Sequence, residues 1–583
     1  MSTFTSPVLA QTQVVSASSI PHLDFKKTQV TFSDGSVEFF QRPLVLSQLF
    51  DHPTFKKSDL LIAVMVNGRV HAKNEILKIG IANVTPVWFD SVEGLSVFRR
   101  SLVVITASAA FKVFGSEIGI VFDHHVTNGY KIKKYNEEEF TQEECDNIKS
   151  QMTQLIKNDV PLTHEVLSHS EAIHYFKETN RPYSLSLLES INEDKVHCSC
   201  CDGFLTLFFR PLLTSTGDIG DHFDLRLSAK KDGLLLIFPL PNKPIPSVSE
   251  SSEFRLISQS YADSNEVAKQ IGIECVGDIN KSILNGPTET VLMMENRQDL
   301  EISQIAEKIS VRVKSGEVKL VSIAGPSASG KTTFSKKLGA QLKLKGITTV
   351  VLSTDNYFKN REDSPVDKDG NYDFECLECI RLDALNGDLQ KLFRGEAIHP
   401  VLFDFVKGKY SYDTTNYLKL PKNGVVVMEG LHGIDENLTA AIPRKQKYFI
   451  FIAPMTQLNV DEYNFIGNQV FRFYRRIIRD YLTRNNTASK TFEKWRSVAV
   501  GEEKYIFPFV DKADTIWNSA MDYEPSALYT YVLPLLKTVH VDDPNYNLAC
   551  DLLKTLQFFM PMDDHMVAKT SLLREFIGGS VYE

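Results

Sequence analysis

The sequence predicts an α/β protein with a parallel sheet in its C-terminal half, preceded by smaller units that mix strands and helices. Residues 286–583 alternate short apolar runs with helical stretches, which is typical of parallel sheets. Residues 25–95 instead hold short β-rich runs, and Ser33-Asp34-Gly35 between two of them predicts a hairpin turn. Residues 96–245 carry both patterns, which predicts an α+β unit.

Hydropathy spacing predicts individual elements along these units. In one helix, Ile148, Met152 and Ile156 recur every fourth residue, as expected of an apolar helix face. The expected elements are strands at Thr28–Phe32, Val37–Phe40, Leu60–Val66, Val84–Phe89, Val318–Ala324, Thr348–Leu352 and Gly424–Met428, with helices at Glu143–Lys157 and from Lys331 to about Leu344.

Composition narrows the class of protein. The chain has 583 residues, 43% of them hydrophobic, and a net charge of −9, all of it within residues 1–312. Such apolar content excludes a mainly disordered chain, and the acidic balance disfavours nucleic-acid partners. The apolar run Leu102–Phe111 ends at Lys112 and is too short to span a membrane, so we expect no membrane partner.

Cysteine usage and the termini give further expectations. Eight cysteines in 583 residues predict reduced thiols and a cytoplasmic location. Cys198, Cys200 and Cys201 form one cluster and Cys376 with Cys379 another; each is either a metal site or a set of idle thiols. Residues 1–24 lack Lys and Arg in their first 22 positions and predict a disordered tail, whereas 246–312 predicts a linker and connecting helix ahead of a domain at 313–583.

The strongest motif follows the strand at Val318–Ala324. It reads G-x-x-x-x-G-K-T and leads into a helix, which is the arrangement that binds nucleoside triphosphates. Its backbone N–H groups wrap the phosphates, Lys331 neutralises them and the Thr332 hydroxyl ligates Mg²⁺. We therefore expect ATP and Mg²⁺ at the loop Gly325, Pro326, Ser327, Ala328, Ser329, Gly330, Lys331 and Thr332.

Two carboxylates follow the next strands. Asp355 comes after Thr348–Leu352 and is either a base for an acceptor hydroxyl, a Mg²⁺ ligand or a simple helix cap. Glu429 ends the strand Gly424–Met428, the arrangement of a carboxylate close to Mg²⁺. Carboxyl ends of parallel strands meet at one edge of a sheet, so both side chains are expected beside the phosphates.

Arginines are dense between residues 472 and 484. Arg472, Arg475, Arg476 and Arg479 lie at helical spacing on one face, and Arg484 follows. Such a face repels itself unless an anion lies within it, which favours a lid over triphosphate. The alternative is a solvated face paired with Asp480 or Glu462.

These motifs, in this order, resemble the uridine kinase and phosphoribulokinase family. The matching pieces are GPSASGKTT, STDNYF, GNYDFE, HPVLFDF, VVVMEG, RRIIRD and FPFVDKAD, spanning about 318–518. The resemblance implies transfer of a phosphoryl group from ATP to a sugar hydroxyl. It implies Asp355 as catalytic base alongside Lys331 and Glu429. It adds Thr333 to the ATP site, with lid arginines Arg475, Arg476, Arg479 and Arg484, and forms the substrate site from Tyr357, Asp373, Phe403, Asp404 and Phe405.

The chain departs from that family at the acceptor side. Uridine kinases read Y-D-F, followed three residues after the Phe by a histidine that helps to recognise uracil. Here the tyrosine is Phe403 and the histidine position is Gly408. Lost polar groups reduce substrate discrimination. A nucleoside kinase remains the expected class, without uridine assigned.

The N-terminal half resembles threonyl-tRNA synthetases. Residues 25–95 resemble the β-grasp TGS domain and residues 96–245 the second additional domain, which edits mischarged tRNA. That editing site uses H-x-x-x-H and C-x-x-x-H. The corresponding stretches, Arg99–Asp123 and Gly203–Asp221, contain neither His nor Cys. We expect metal binding and deacylation to be lost and the domain to serve structure, assembly or regulation.

The leading hypothesis is therefore an ATP-dependent kinase for a nucleoside 5′-hydroxyl, uridine-like or cytidine-like. One alternative is a kinase for another sugar or small alcohol. A second is a non-catalytic regulator that binds tRNA or RNA through the synthetase-like half. A monomer and a homo-oligomer are both compatible with the sequence.

Overall fold

The computed structural model describes residues 26–57, 59–126, 129–229, 231–239, 255–366, 372–456 and 458–582. The tail expected at residues 1–24 and the Pro-rich and Ser-rich stretch at 240–252 lie outside this part of the chain. No helix among the described residues is long and apolar enough to cross a membrane.

The first unit is built on a mixed five-stranded sheet in the order β2-β1-β7-β4-β5. The strands of the whole unit, including β3 and β6 outside this sheet, are β1 (Lys27–Phe32), β2 (Val37–Gln41), β3 (Leu44–Val45), β4 (Leu61–Val66), β5 (Arg69–Ala72), β6 (Ile76–Leu77) and β7 (Ile81–Trp88). The predicted hairpin is confirmed, because β1 and β2 pair antiparallel around Ser33-Asp34-Gly35. Alternate residues of β1 are buried, with Val30 and Phe32 in the core.

The second unit packs helices against two antiparallel sheets, in the orders β10-β11-β12 and β13-β14-β9-β8. Its strands are β8 (Ile120–Val126), β9 (Gly129–Lys134), β10 (Leu162–Ser168), β11 (Lys195–Cys201), β12 (Phe204–Leu207), β13 (Asp224–Leu227) and β14 (Leu234–Ile237). Its helices are α1 (Val92–Phe114), α2 (Gln142–Lys157), α3 (His169–Glu178) and α4 (Pro182–Ser190). Helix α2 confirms the prediction and begins at a capping box of Thr141 and Glu144.

More helix joins the second unit to the C-terminal unit than the sequence predicts. A linker and one connecting helix were expected at 246–312, yet three helices form: α5 (Arg255–Ile271), α6 (Val276–Asn285) and α7 (Thr288–Lys314). Ile302, Ile305 and Ile309 of α7 belong to the core that also contains the central strands of the C-terminal sheet. Burial of these apolar faces stabilises helices that a polar linker could not support.

The C-terminal unit confirms the expected parallel sheet. All neighbours in the order β16-β21-β15-β22-β23 pair in parallel. The strands are β15 (Leu320–Ala324), β16 (Thr348–Ser353), β17 (Ala397–Ile398), β18 (Val401–Asp404), β19 (Lys409–Tyr412), β20 (Leu418–Lys419), β21 (Gly424–Gly430), β22 (Lys447–Ala453) and β23 (Thr515–Asn518). The helices are α8 (Lys331–Leu344), α9 (Leu382–Phe393), α10 (Asn468–Arg484), α11 (Ala488–Tyr505), α12 (Glu524–Lys537), α13 (Tyr546–Leu556) and α14 (Arg574–Ile577). Every residue of β15 is buried, as expected for a strand covered on both faces.

The loop at residues 458–467, between β22 and α10, joins the second and C-terminal units. The Phe122 amide donates to the Glu462 carbonyl at 2.9 Å. The buried Glu462 carboxylate accepts from the amides of Tyr183 and Ser184, at 2.8 and 3.1 Å. These amides lie in the first turn of α4, so the C-terminal unit supplies the anionic cap of a helix in the second unit.

Candidate active site

The phosphate-binding loop connects β15 to α8 as the motif requires. Residues 325–330 form the turn, and Lys331, Thr332 and Thr333 form the first turn of α8. A side chain is excluded at Gly325, because a Cβ there would lie 2.1 Å from the Ile452 carbonyl oxygen of β22. The loop therefore sits tightly on the carboxyl edge of the sheet.

The loop cation turns inward in this structure. The Lys331 Nζ donates to the carbonyl oxygens of Gly325 and Pro326, at 2.9 and 3.2 Å. The Thr332 side chain is exposed, whereas Thr333 is buried. Both the amide and the hydroxyl of Thr333 donate to the carboxylate of Glu575, at 3.0 and 2.6 Å. A carboxylate thus holds two donors in the first turn of α8, where a helix can bind phosphate.

The two predicted carboxylates meet beside this loop. Strand β21 lies between β15 and β16, so Glu429 at its end neighbours both the loop and Asp355. Burial, helped by the negative charge of Asp355, raises the pKa of Glu429 to about 7, while Lys331 acts in the opposite direction. Asp355 itself is exposed. The arrangement concentrates negative charge next to one lysine.

These oxygen donors fit a magnesium ion. Glu429 and Asp355 supply carboxylates, and Thr332 supplies an exposed hydroxyl, which are the hard ligands that Mg²⁺ prefers. Burial disfavours the ionised form of Glu429, and a bound cation would favour it.

The predicted arginine helix is α10, and it docks directly on the phosphate loop. The Arg472 Nε donates to the Ser327 carbonyl at 3.0 Å, and Arg472 also forms a buried ion pair with Glu502. Arg479 reaches the Ser327 hydroxyl at 3.4 Å. Arg476, Arg479 and Arg484 surround the buried Asp480 carboxylate, at 3.4, 3.2 and 3.4 Å.

The position of Arg475 differs from the lid role expected from sequence. Its side chain is fully buried in a two-pronged ion pair with Glu524 of α12. Its Nη1 lies 3.4 and 3.5 Å from the carbonyls of Ala328 and Ser329. Arg475 therefore positions the phosphate loop from beneath, because its charge is already neutralised by Glu524.

Arg476 keeps donors available to an anion. Its Nε and Nη1 are buried without hydrogen bonds, although Nε lies 3.4 Å from Asp480. Unpaired buried donors are costly, so a bound phosphoryl oxygen would stabilise them. The alternative is confirmed in its pairing with Asp480. It is wrong in its solvated face, because Asp480 is buried, and in its pairing with Glu462, which lies instead at α4.

The acceptor side contains an aromatic surface. Ring centroids of Phe358 and Phe403 lie 5.7 Å apart, and those of Phe403 and Phe405 lie 5.1 Å apart. Phe405 is 52% exposed, and the Arg484 guanidinium lies 5.9 Å from its ring. Asp373 lies at the end of α11, where it accepts a hydrogen bond from the Tyr505 hydroxyl at 3.3 Å.

Two predicted substrate residues lie elsewhere. Tyr357 is 2% exposed, and its hydroxyl donates to Asp388 at 3.1 Å, so it belongs to the core beneath the site. The Asp404 carboxylate turns into its own loop, where it accepts from the amides of Val406 and Lys407 at 3.0 Å each. Its geometry is that of a turn-forming aspartate.

Sequence reasoning missed three polar residues that border the site. Glu375 ends the GNYDFE motif, and burial raises its pKa to about 7 while Arg476 acts in the opposite direction. His432, three residues after Glu429, is buried with no hydrogen bond to Nδ1. Glu575 lies 242 residues from its partner Thr333, so no local pattern predicts it. The motif spacing could have indicated the first two.

The two thiol clusters do not gather metal ligands in the described part of the chain. The one group of three such ligands there is the surface set Asp563, Asp564 and His565. The Cys376 and Cys379 sulfurs lie 3.4 Å apart, and both side chains are buried.

The parallel sheet, phosphate loop and arginine helix define the C-terminal unit as a P-loop kinase fold. Residues 320–524 match the model of the Phosphoribulokinase / Uridine kinase family. A uridine kinase of Borrelia duttonii is 27% identical over 238 residues, which cover 39% of this chain and 99% of that protein. A solved structure of a possible uridine kinase from Bacillus stearothermophilus is 16% identical, with a TM-score of 0.27, and the match covers 38% of this chain and all of that one.

The N-terminal region is similar to threonine–tRNA ligases, which confirms the hybrid expected from sequence. That of Desulfovibrio desulfuricans is 30% identical over 138 residues, covering 24% of this chain and 21% of the ligase. That of Janthinobacterium sp. is 28% identical over 194 residues, covering 33% of this chain and 30% of the ligase. The chain thus spans less than a third of the length of these ligases.

Proposed function

We propose that this protein transfers the γ-phosphoryl group of ATP to the 5′-hydroxyl of a nucleoside. One observation carries the proposal: the loop lysine Lys331, the carboxylates Asp355 and Glu429, and the partly unpaired Arg476 converge at one edge of the parallel sheet. This set supplies phosphate binding, proton acceptance and charge stabilisation, which are the requirements of phosphoryl transfer.

In the proposed mechanism the loop amides and Lys331 hold the triphosphate. Exposed Asp355 accepts the proton of the acceptor hydroxyl as its oxygen attacks the γ-phosphorus, and the bond to the β-phosphate oxygen breaks. Arg476 and Arg479 donate to the transferred phosphoryl oxygens. Thr332, Glu429 and Asp355 would hold Mg²⁺, which neutralises phosphate charge when bound.

The aromatic surface supports a substrate that carries a ring. Half-exposed Phe405 and its neighbour Phe403 offer a face on which a nucleobase can stack, and such stacking is worth about 1–3 kcal/mol. In this proposal Asp373 accepts a ribose hydroxyl.

A second candidate is a kinase for another sugar or small alcohol. It is favoured by Gly408, which has a positive φ of 68° and whose Cβ would lie 2.9 Å from the Arg361 side chain. The histidine that uridine kinases carry there therefore does not fit this loop. The polar recognition of uracil has no counterpart at that position.

The test is ATP consumption by the purified chain across nucleosides, sugars and small alcohols. We expect a nucleoside to give the highest turnover, and Lys331→Ala to lower it at least ~10²-fold. Lys343→Ala is the matched control, because Lys343 is an exposed lysine in the last turn of the same helix.

The outcomes separate the hypotheses. Turnover confined to non-nucleoside alcohols would favour the second candidate. Full activity of Lys331→Ala contradicts the assignment of the phosphate loop. Absence of turnover with every acceptor, together with salt-dependent tRNA binding, would favour the RNA-binding regulator.

A further inference from the structure

A cavity of 300 Å³ lies between the second unit and the C-terminal unit, away from the phosphate loop. Its walls come from helix α1, the loop after β12, the loop at residues 458–467 and helix α13. This volume is at the lower end of the range for small-molecule sites. It is large enough for a ligand with a single ring.

Four cations line this cavity and no carboxylate does, among the residues that the structure describes. They are Arg99, Arg100, Arg210 and Lys554. Arg210 is paired with Asp551, which lies outside the lining, at 3.3 Å. The other three form no ion pair with any described residue. The cavity therefore carries a net positive charge, which Asp551 behind its wall offsets only in part.

The contacts of these cations leave donors free. Arg100 donates to neutral oxygens only, the Ser96 hydroxyl at 2.7 Å and the Pro211 carbonyl at 3.2 and 3.4 Å. The Arg99 Nε is buried without a hydrogen bond. Lys554 faces the Phe208 ring, with its Nζ 5.5 Å from the centroid.

Burial makes this cluster costly without an anion. Burial, helped by the positive charge of Arg210, lowers the pKa of Arg100 to about 10, while Asp551 acts in the opposite direction. The pKa of Lys554 is also lowered, by burial and by Arg210. A bound anion would offset both desolvation and mutual repulsion.

The rest of the wall is largely aromatic. Tyr130, Phe209, Phe465 and Phe558 line the cavity beside the cations. Aromatic walls with a few convergent charged donors are typical of pockets for ring-containing anions.

We infer that this cavity binds a small organic anion with one ring, whose phosphate or carboxylate group lies among Arg99, Arg100 and Lys554. The ring packs against the aromatic wall. The loop at residues 458–467 lines the cavity and leads directly into the arginine helix α10, so the ligand contacts the residues that precede this helix. The site is separate from the proposed kinase reaction and is tested without it.

The experiment measures binding of phenyl phosphate, phenylacetate and neutral benzyl alcohol to the full chain by calorimetry. We expect at least one anion to bind and benzyl alcohol to bind at least about 10-fold more weakly. Lys554→Gln should weaken the anion about 10-fold, whereas Lys537→Gln, an exposed lysine of α12, should have no effect. Lys331→Met separates this cavity from the phosphate loop and should leave binding unchanged.

The comparison of the two anions identifies the head group. The inference is overturned if neither anion binds, if benzyl alcohol binds equally well, or if Lys331→Met rather than Lys554→Gln abolishes binding. Should Lys554→Gln fail to fold by thermal denaturation, Arg99→Gln is subject to the same three criteria.

Discussion

Asp355 is the residue on which the proposed chemistry depends most directly. It is exposed beside the buried Glu429, so it can reach an acceptor that Glu429 cannot. We predict that Asp355→Asn leaves ATP binding largely intact and lowers transfer at least ~10²-fold, because the amide cannot accept the proton. Asp383→Asn, an exposed aspartate of α9, is the control. Retained transfer, measured as product formation, would show that Asp355 is only a helix cap.

Glu429 provides a pH-dependent signature. Its folded pKa of about 7 exceeds the ordinary value of 4.5, so the folded protein holds a proton that the unfolded chain releases within that window. The contribution of Glu429 to stability therefore falls as pH rises from about 4.5 to 7. We predict that Glu429→Gln is less pH-sensitive than the wild type in urea unfolding without Mg²⁺. Superimposable pH profiles of the two proteins would contradict this.

At the scale of elements, α10 and α8 share one loop. Arg472 and Arg475 attach α10 to the carbonyls of Ser327, Ala328 and Ser329, and Glu524 of α12 neutralises Arg475. Breaking such a buried pair costs about 3–5 kcal/mol. The arginine helix thereby fixes the loop before nucleotide binds.

The first turn of α8 is occupied by the C-terminal segment. Glu575, on α14, accepts from both donors of Thr333. We predict that Glu575→Gln tightens binding of Mg²⁺·ATP roughly 5- to 10-fold, since the neutral amide competes less with phosphate for these donors. Equilibrium binding measures the effect, and Glu493→Gln, an exposed glutamate of α11, is the control. Unchanged or weaker ATP binding would contradict this competition.

At the scale of the whole molecule, Glu462 connects the two halves. Glu462 lies in the loop at residues 458–467 of the C-terminal unit, and its carboxylate caps α4 of the second unit. We predict that Glu462→Gln lowers the free energy of unfolding by about 1–2 kcal/mol, because the anionic acceptor at the helix terminus is lost. Chemical denaturation measures this loss, with the exposed Glu503→Gln as control.

Hydrogen exchange gives the structural counterpart of that prediction. Amides of Tyr183 and Ser184 should exchange faster in Glu462→Gln, and those of α10 should follow if the loop transmits the change. Equal exchange of these amides in Glu462→Gln and in the wild type would mean that this contact does not couple the halves.

The local elements were predictable because their signals are local. The hairpin at Ser33-Asp34-Gly35, helix α2 and strand β15 follow from turn residues and apolar spacing. Helices α5 to α7 were underestimated, because their stability comes from burial against distant strands. Tyr357 is predicted at the substrate site but lies in the core, because membership of a motif does not show which way a side chain points.

The sequence by itself determined the phosphate loop, the parallel sheet and the carboxylates at its edge, because short-range spacing encodes all three. The tertiary structure decided what the charges do. It neutralised Arg475 with Glu524, left Arg476 with unpaired donors and placed Glu575 on the nucleotide side of α8. It also gathered four cations between the two halves, which Asp551 offsets only in part. Charge pairing depends on distances between residues far apart in the chain, which no local pattern specifies.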